Sequence, residues 1–158
     1  MKTISALSAI AAVLFSGAAW ADGGTSCALA QEIFGNNSYS GDTSTSTNFV
    51  GAFGGLPSPG PDLAFKFTFH SYLGSIAVSI TGGWNAGAVI TAACAGNAGN
   101  PIQASTGTAS FSVPLVGLTE GQLYYFYMTG NPSDNSGPSG AFSFVTSSPV
   151  TLQQFSVE

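Results

Sequence analysis

Cys27 and Cys94 are the two cysteines of the chain, and His70 is its one histidine. One imidazole and no Cys-x-x-Cys leave a zinc or dithiol redox centre without its usual ligands. In an exported protein an even pair of cysteines normally closes a disulfide, so Cys27–Cys94 is the expected bridge. In the chain-entropy model a loop of that length stabilises by roughly 4 kcal/mol. A serine hydrolase needs its His oriented by a carboxylate and its nucleophile on a sharp turn. No Gly-x-Ser-x-Gly is present, and His70 stands at a strand end beside Ser71 and Tyr72, where a surface His is expected. Glu32, Asp42, Asp62, Glu120 and Asp134 are scattered, whereas a glycosidase needs two acids facing each other across a cleft. The chain is read as non-enzymatic.

Two binding chemistries remain. Calcium takes six to eight oxygens, usually with two or more carboxylates. Asp42, Asp62 and Asp134 lie in loops or at strand starts and are the candidate ligands. Asp134-Asn135-Ser136-Gly137 lacks the EF-hand spacing and its closing Glu. The alternative for all three is a structural one, in which Asp side chains bond nearby backbone N–H groups in turns. Trp84, in Thr81-Gly82-Gly83-Trp84-Asn85-Ala86-Gly87, is a candidate platform for stacking on a sugar ring. Its alternative is a plug closing one end of the fold.

Charge and targeting bound these readings. Charged residues make up 6% of the chain, against about 25% in an average domain. The basic residues are Lys2 and Lys66, which excludes nucleic-acid binding through a basic surface. A hydrophobic content of 44% with 12% aromatics excludes a disordered chain. Residues 1–21 read as a secretory signal peptide: Met1-Lys2, an apolar run from Ile4 to Phe15, and Ala19-Trp20-Ala21 as the cleavage site. The mature part, 22–158, reads as one secreted or periplasmic domain with no membrane span.

Strands must position these residues, because the mature part is almost free of helical periodicity. Asp62 to Phe69 alternates Leu63, Phe65, Phe67 and Phe69 against Ala64, Lys66 and Thr68. Ser75 to Thr81, Ala88 to Cys94, Ser110 to Leu118, Leu123 to Thr129, Ala141 to Thr146 and Val150 to Val157 follow. Ser38 to Asp42 and Thr47 to Phe53 are weaker candidates. Ala28 to Ile33 is a helical turn or a strand, and Asn97 to Gly107 and Asn131 to Gly140 are loops. This predicts an all-β, antiparallel two-sheet β-sandwich of about eight or nine strands with one disulfide. Phe65, Phe67, Phe111, Tyr125, Phe142 and Phe144 are expected between the sheets. In Tyr124-Tyr125-Phe126-Tyr127 one face is core, and a second sheet edge or the run 150–157 is expected to cover the other.

The order of these pieces resembles the bacterial pre-peptidase C-terminal domain. Cys27-Ala28-Leu29-Ala30 is similar to its opening Cys-x-x-Ala, and Tyr39-Ser40-Gly41-Asp42-Thr43 to its Gly-Asp-Thr stretch. Pro61-Asp62-Leu63-Ala64-Phe65-Lys66-Phe67 is similar to its Pro-Asp strand, and Leu118 to Tyr125 to its Leu-x-x-Gly-x-x-Tyr-Tyr signature. Ser139-Gly140-Ala141-Phe142 is similar to its closing Gly-x-Phe strand. The resemblance covers most of residues 27–147. It implies a jelly-roll-like, non-catalytic module that assists adhesion to a surface, a polysaccharide or a partner exoprotein, with calcium as a possible ligand. The competing expectation is a structural subunit of an extracellular fibre, self-associating through low-charge edge strands, with 22–34 and 150–158 as the segments to exchange.

Overall fold

The computed structural model describes residues 23–94 and 100–147. The expected leader and the run 150–157 lie outside the described residues. The chain forms a β-sandwich. In chain order the strands are β1 (Gln31–Glu32), β2 (Ser38–Asp42), β3 (Ala52–Phe53), β4 (Leu56–Pro57), β5 (Leu63–Thr68) and β6 (Ser75–Ile80). They continue with β7 (Ala86–Thr91), β8 (Gln103–Gly107), β9 (Ser110–Pro114), β10 (Leu123–Gly130) and β11 (Ala141–Ser147). Short 3-10 turns occupy Cys27–Leu29 and Thr43–Thr45.

One sheet runs β1-β5-β10-β7-β8 and the other β2-β11-β6-β9, with β3-β4 as a separate hairpin. All pairs are antiparallel except β1 beside β5, where Gln31 faces Phe65 and Glu32 faces Lys66 in parallel register. The described residues thus hold eleven strands rather than eight or nine. The surplus is mostly two-residue pieces, too short to show an alternation. Gln103–Gly107 is a strand, not loop. It pairs only with β7 in its sheet, so this edge strand can be built from small and polar residues.

The core follows from alternation. Leu63, Phe65 and Phe67 of β5 and Tyr124, Phe126 and Met128 of β10 point inward and are buried. Phe142 and Phe144 of β11 meet them from the second sheet. Phe65 stands edge-on to Phe144 with centroids 4.9 Å apart, and Phe126 does the same at 5.0 Å. Edge-to-face pairs add about 0.5–1.5 kcal/mol each beyond the area they bury.

Tyr125 is not between the sheets, because Phe126 is the residue in register with inward-facing Phe65. Tyr125 and Tyr127 share the outer face of the five-stranded sheet. There Tyr127 packs with Ala30, Val50, Phe53, Ala64 and Val89 in a second, smaller core. The cover is formed by residues 27–30 and 49–53, not by a second sheet edge. Gly54 and Gly55 both have positive φ, which closes the two-residue turn between β3 and β4. A Cys27–Cys94 disulfide pins the cover to the end of β7. The Tyr127 hydroxyl lies 3.1 Å from the Cys27 sulfur, and burial pushes its pKa up to about 12.

Candidate functional site

The three candidate calcium ligands sit in three separate hydrogen-bond sets. Asp42 closes β2, and its Oδ1 accepts from the Ser44 N–H (2.9 Å) and the Ser44 hydroxyl (2.6 Å). Asp134 accepts from the Ser136 N–H (3.0 Å), the Ser136 hydroxyl (2.6 Å) and the Asn85 amide (3.1 Å). Those Ser136 bonds, with Asn85, hold its carboxyl below the usual range. Asp62 is fully buried under the cover. Its Oδ2 accepts from the N–H groups of Phe49 (3.1 Å) and Val50 (2.9 Å), and its Oδ1 from the Ser58 hydroxyl (2.8 Å). Ser58 in turn meets the Thr129 hydroxyl at 2.7 Å. Burial raises the Asp62 carboxyl pKa, and these donors offset part of that rise. The structure does not bring the three aspartates together. Among the described residues no three His, Cys, Asp or Glu converge in a metal-holding group.

Trp84 is half-buried at the end of the sandwich where β6 passes to β7. Its Nε1 donates to the Ala141 carbonyl (3.0 Å), and its ring lies on Gly140 so closely that a Cβ there would meet it at 2.5 Å. This is the packing of an end plug.

The opposite end carries an open groove of about 270 Å³. Its construction follows from the parallel pairing of β1 with β5. Two parallel neighbours deliver their C-terminal ends to the same end of the sheet, so Phe34 arrives beside His70. Glu32 is in register with Lys66, which puts it on the outer face with Thr68, and both line the groove. Ile33 and Leu73 are buried and form its apolar floor.

Two aromatic side chains stand at the rim. Phe34 is 60% exposed and Tyr72 is 53% exposed. Each is held by its neighbours. The Phe34 N–H donates to the Tyr39 hydroxyl (2.7 Å), and its carbonyl accepts from the Thr146 hydroxyl (2.8 Å). Tyr72 stacks on His70, with centroids 5.3 Å apart and planes 9° from parallel. His70 Nδ1 is 2.8 Å from Glu120 Oε1, and the Ser71 N–H donates to the other oxygen at 2.5 Å. The His70 bond first, and the Ser71 N–H second, lower the Glu120 pKa. Glu120 is placed by pairing of its own turn with β5: Gly121 N–H donates to the Phe69 carbonyl, and Phe69 N–H to the Gln122 carbonyl, both at 2.9 Å.

Exposed rings stack on sugar faces and organic cations, and carboxylates accept from hydroxyl or ammonium groups. The groove offers both. The sequence reading placed His70 on the surface but missed Phe34, Tyr72 and the His70–Glu120 pair. The available signal was the tandem of His70 with Tyr72 at a strand end. Phe34 gives none, because its place depends on β1 lying parallel to β5. A scan against protein-family models finds no match, and searches of curated proteins and of solved structures find none either.

Proposed function

We propose that this chain is an exported, non-catalytic binding module of the pre-peptidase C-terminal type, which adheres to a polysaccharide surface through the groove between Phe34 and Tyr72. One observation carries this reading: two large aromatic side chains stay exposed at the rim of a concave site while the rest of each local segment is tied down by hydrogen bonds. A sandwich whose loops carry the ligand contacts needs no moving part, since the sheets fix the loop ends. The disulfide and the low charge suit a life outside the cytoplasm.

The test is retention of the purified, oxidised protein on insoluble glycans and on cell-surface material, with and without calcium. The Phe34→Ala/Tyr72→Ala double variant is expected to lose retention at least tenfold, since each stacked ring contributes on the order of 1 kcal/mol. Trp84→Ala is expected to retain binding. Equal retention of the double variant and the parent, or no retention of the parent on any such material, would sink the reading. A loss seen only on calcium removal would return attention to Asp42, Asp62 and Asp134.

A further inference from the structure

Glu32 distinguishes this groove from a merely aromatic one. Its side chain is exposed and lines the site. Among the described residues it has no hydrogen bond or ion pair, and although Lys66 faces it across β1 and β5, no ion pair joins them. The groove's other nearby carboxylate, Glu120, is already committed to His70 and Ser71. A carboxylate without a partner beside two exposed rings and an apolar floor is the chemistry that recognises an ammonium group: Phe34 and the side of Tyr72 turned away from His70 offer negative ring faces, and the carboxylate the counter-charge. The apolar floor of Ile33 and Leu73 reduces solvent screening of both attractions. The chain's balance of seven acids against two lysines and no arginine favours the same sign of ligand and repels polyanions.

We infer that the groove binds an ammonium-bearing ligand, with the nitrogen between Phe34 and Tyr72 and its charge on Glu32. This rests on the binding-module reading above and names the ligand class of the same site. The source that fits the adhesion reading is an amino sugar of a surface glycan; a quaternary ammonium headgroup is the alternative that the test separates from it.

The experiment is an amide-detected NMR titration of the oxidised protein with four probes: choline, its uncharged carbon isostere 3,3-dimethylbutan-1-ol, glucosamine oligomers and the matching glucose oligomers. Binding is expected in the millimolar range, with shifts confined to residues 32–35 and 68–73. Each cation is expected to bind about tenfold more tightly than its neutral counterpart, and Glu32→Gln to cut that advantage severalfold, leaving the part that the rings supply. Lys66→Gln is expected to strengthen cation binding severalfold, because it removes the like charge in register with Glu32. Glu32 is exposed and Lys66 half-buried, so unchanged melting of each variant is required as the control for folding. Tighter binding of glucosamine than choline assigns the sugar source, and the reverse assigns the headgroup. Equal affinities within each pair, or a Glu32→Gln variant indistinguishable from the parent, overturns the inference; if the glucose oligomers still bind at the groove, the adhesion reading stands without it. No shifts at the groove with any of the four probes overturns the inference, and the retention assay then decides the adhesion reading by itself.

Discussion

Replacing Asp62 separates what its shape contributes from what its charge costs. In Asp62→Ala the N–H groups of Phe49 and Val50 lose their acceptor, and Val50 is fully buried. Each stranded donor costs about 1–3 kcal/mol, while the Ser58 hydroxyl can turn to Thr129. The expected loss for the two is therefore about 2–6 kcal/mol, enough to threaten a small domain. Asp62→Asn keeps an oxygen for the two N–H groups and presents an NH₂ to Ser58, so it should lie within about 1 kcal/mol of the parent. The pH dependence tests the same reasoning. Burial raises the Asp62 pKa from 3.8, so between 3.8 and the folded value the native state keeps a proton that the unfolded chain has released. The Asp62 contribution to stability is then greatest below 3.8 and falls as pH rises through that window. Comparing parent with Asp62→Asn cancels the other carboxylates. Urea unfolding followed by Trp84 emission, repeated from acid to neutral pH, gives the difference directly. An Asn variant as unstable as the Ala variant would refute the argument, and so would a parent that gains on the Asn variant as pH rises through the window.

Two further outcomes follow from the same geometry. Glu120→Gln should loosen the stacked His70–Tyr72 pair, seen as faster amide exchange at 70–73. In the parent the Glu120 pKa is lowered from 4.5, so the anchoring of that turn is present above 4.5 and is lost as pH falls through the folded value; carboxyl NMR titration reads it, and a Glu120 midpoint at or above 4.5 would contradict the assignment. Gly140→Ala should push the Trp84 indole outward, since the new Cβ would meet it at 2.5 Å, with a red-shifted emission and a loss of about 1–3 kcal/mol; unchanged emission would show that Trp84 does not rest there.

The strands that were legible in the sequence are those with one face in the main core. β5, β6 and β11 read as alternations because the pleat sends every second side chain inward. β10 carries large residues on both faces, because Tyr124, Phe126 and Met128 serve one core and Tyr127 another. That is why Tyr125 could be assigned to the wrong layer. β8 reads as loop in the sequence, since an edge strand with small, polar side chains leaves no apolar period. β3 and β4 pair with each other over two residues each, too short to show an alternation, and β1 is held by its pairing with β5, which no local window contains. The groove was hidden for the same reason: residues 32–34 meet 68–73 only once β1 lies along β5, and Glu120 arrives with the turn that precedes β10. The three aspartates were visible as turn formers, and the reading that had them bonding nearby N–H groups describes where Asp42 and Asp134 sit.

The segment that begins the described chain is also among the last able to reach its place. Gly24 exchanges both backbone hydrogen bonds with Ala64, Gln31 and Glu32 lie against Phe65 and Lys66, and Cys27 must find a partner 67 residues further on. A chain emerging from its N-terminus cannot complete any of these contacts until β5, and for the thiol β7, has been made. Such long closures slow folding relative to local pairing. Until they form, one edge of β5 stays bare and the Cys27 thiol is open to a foreign partner. The order of synthesis therefore works against the order of docking, and the interval between them is when this protein is most exposed to pairing with a neighbour's strand or thiol in place of its own.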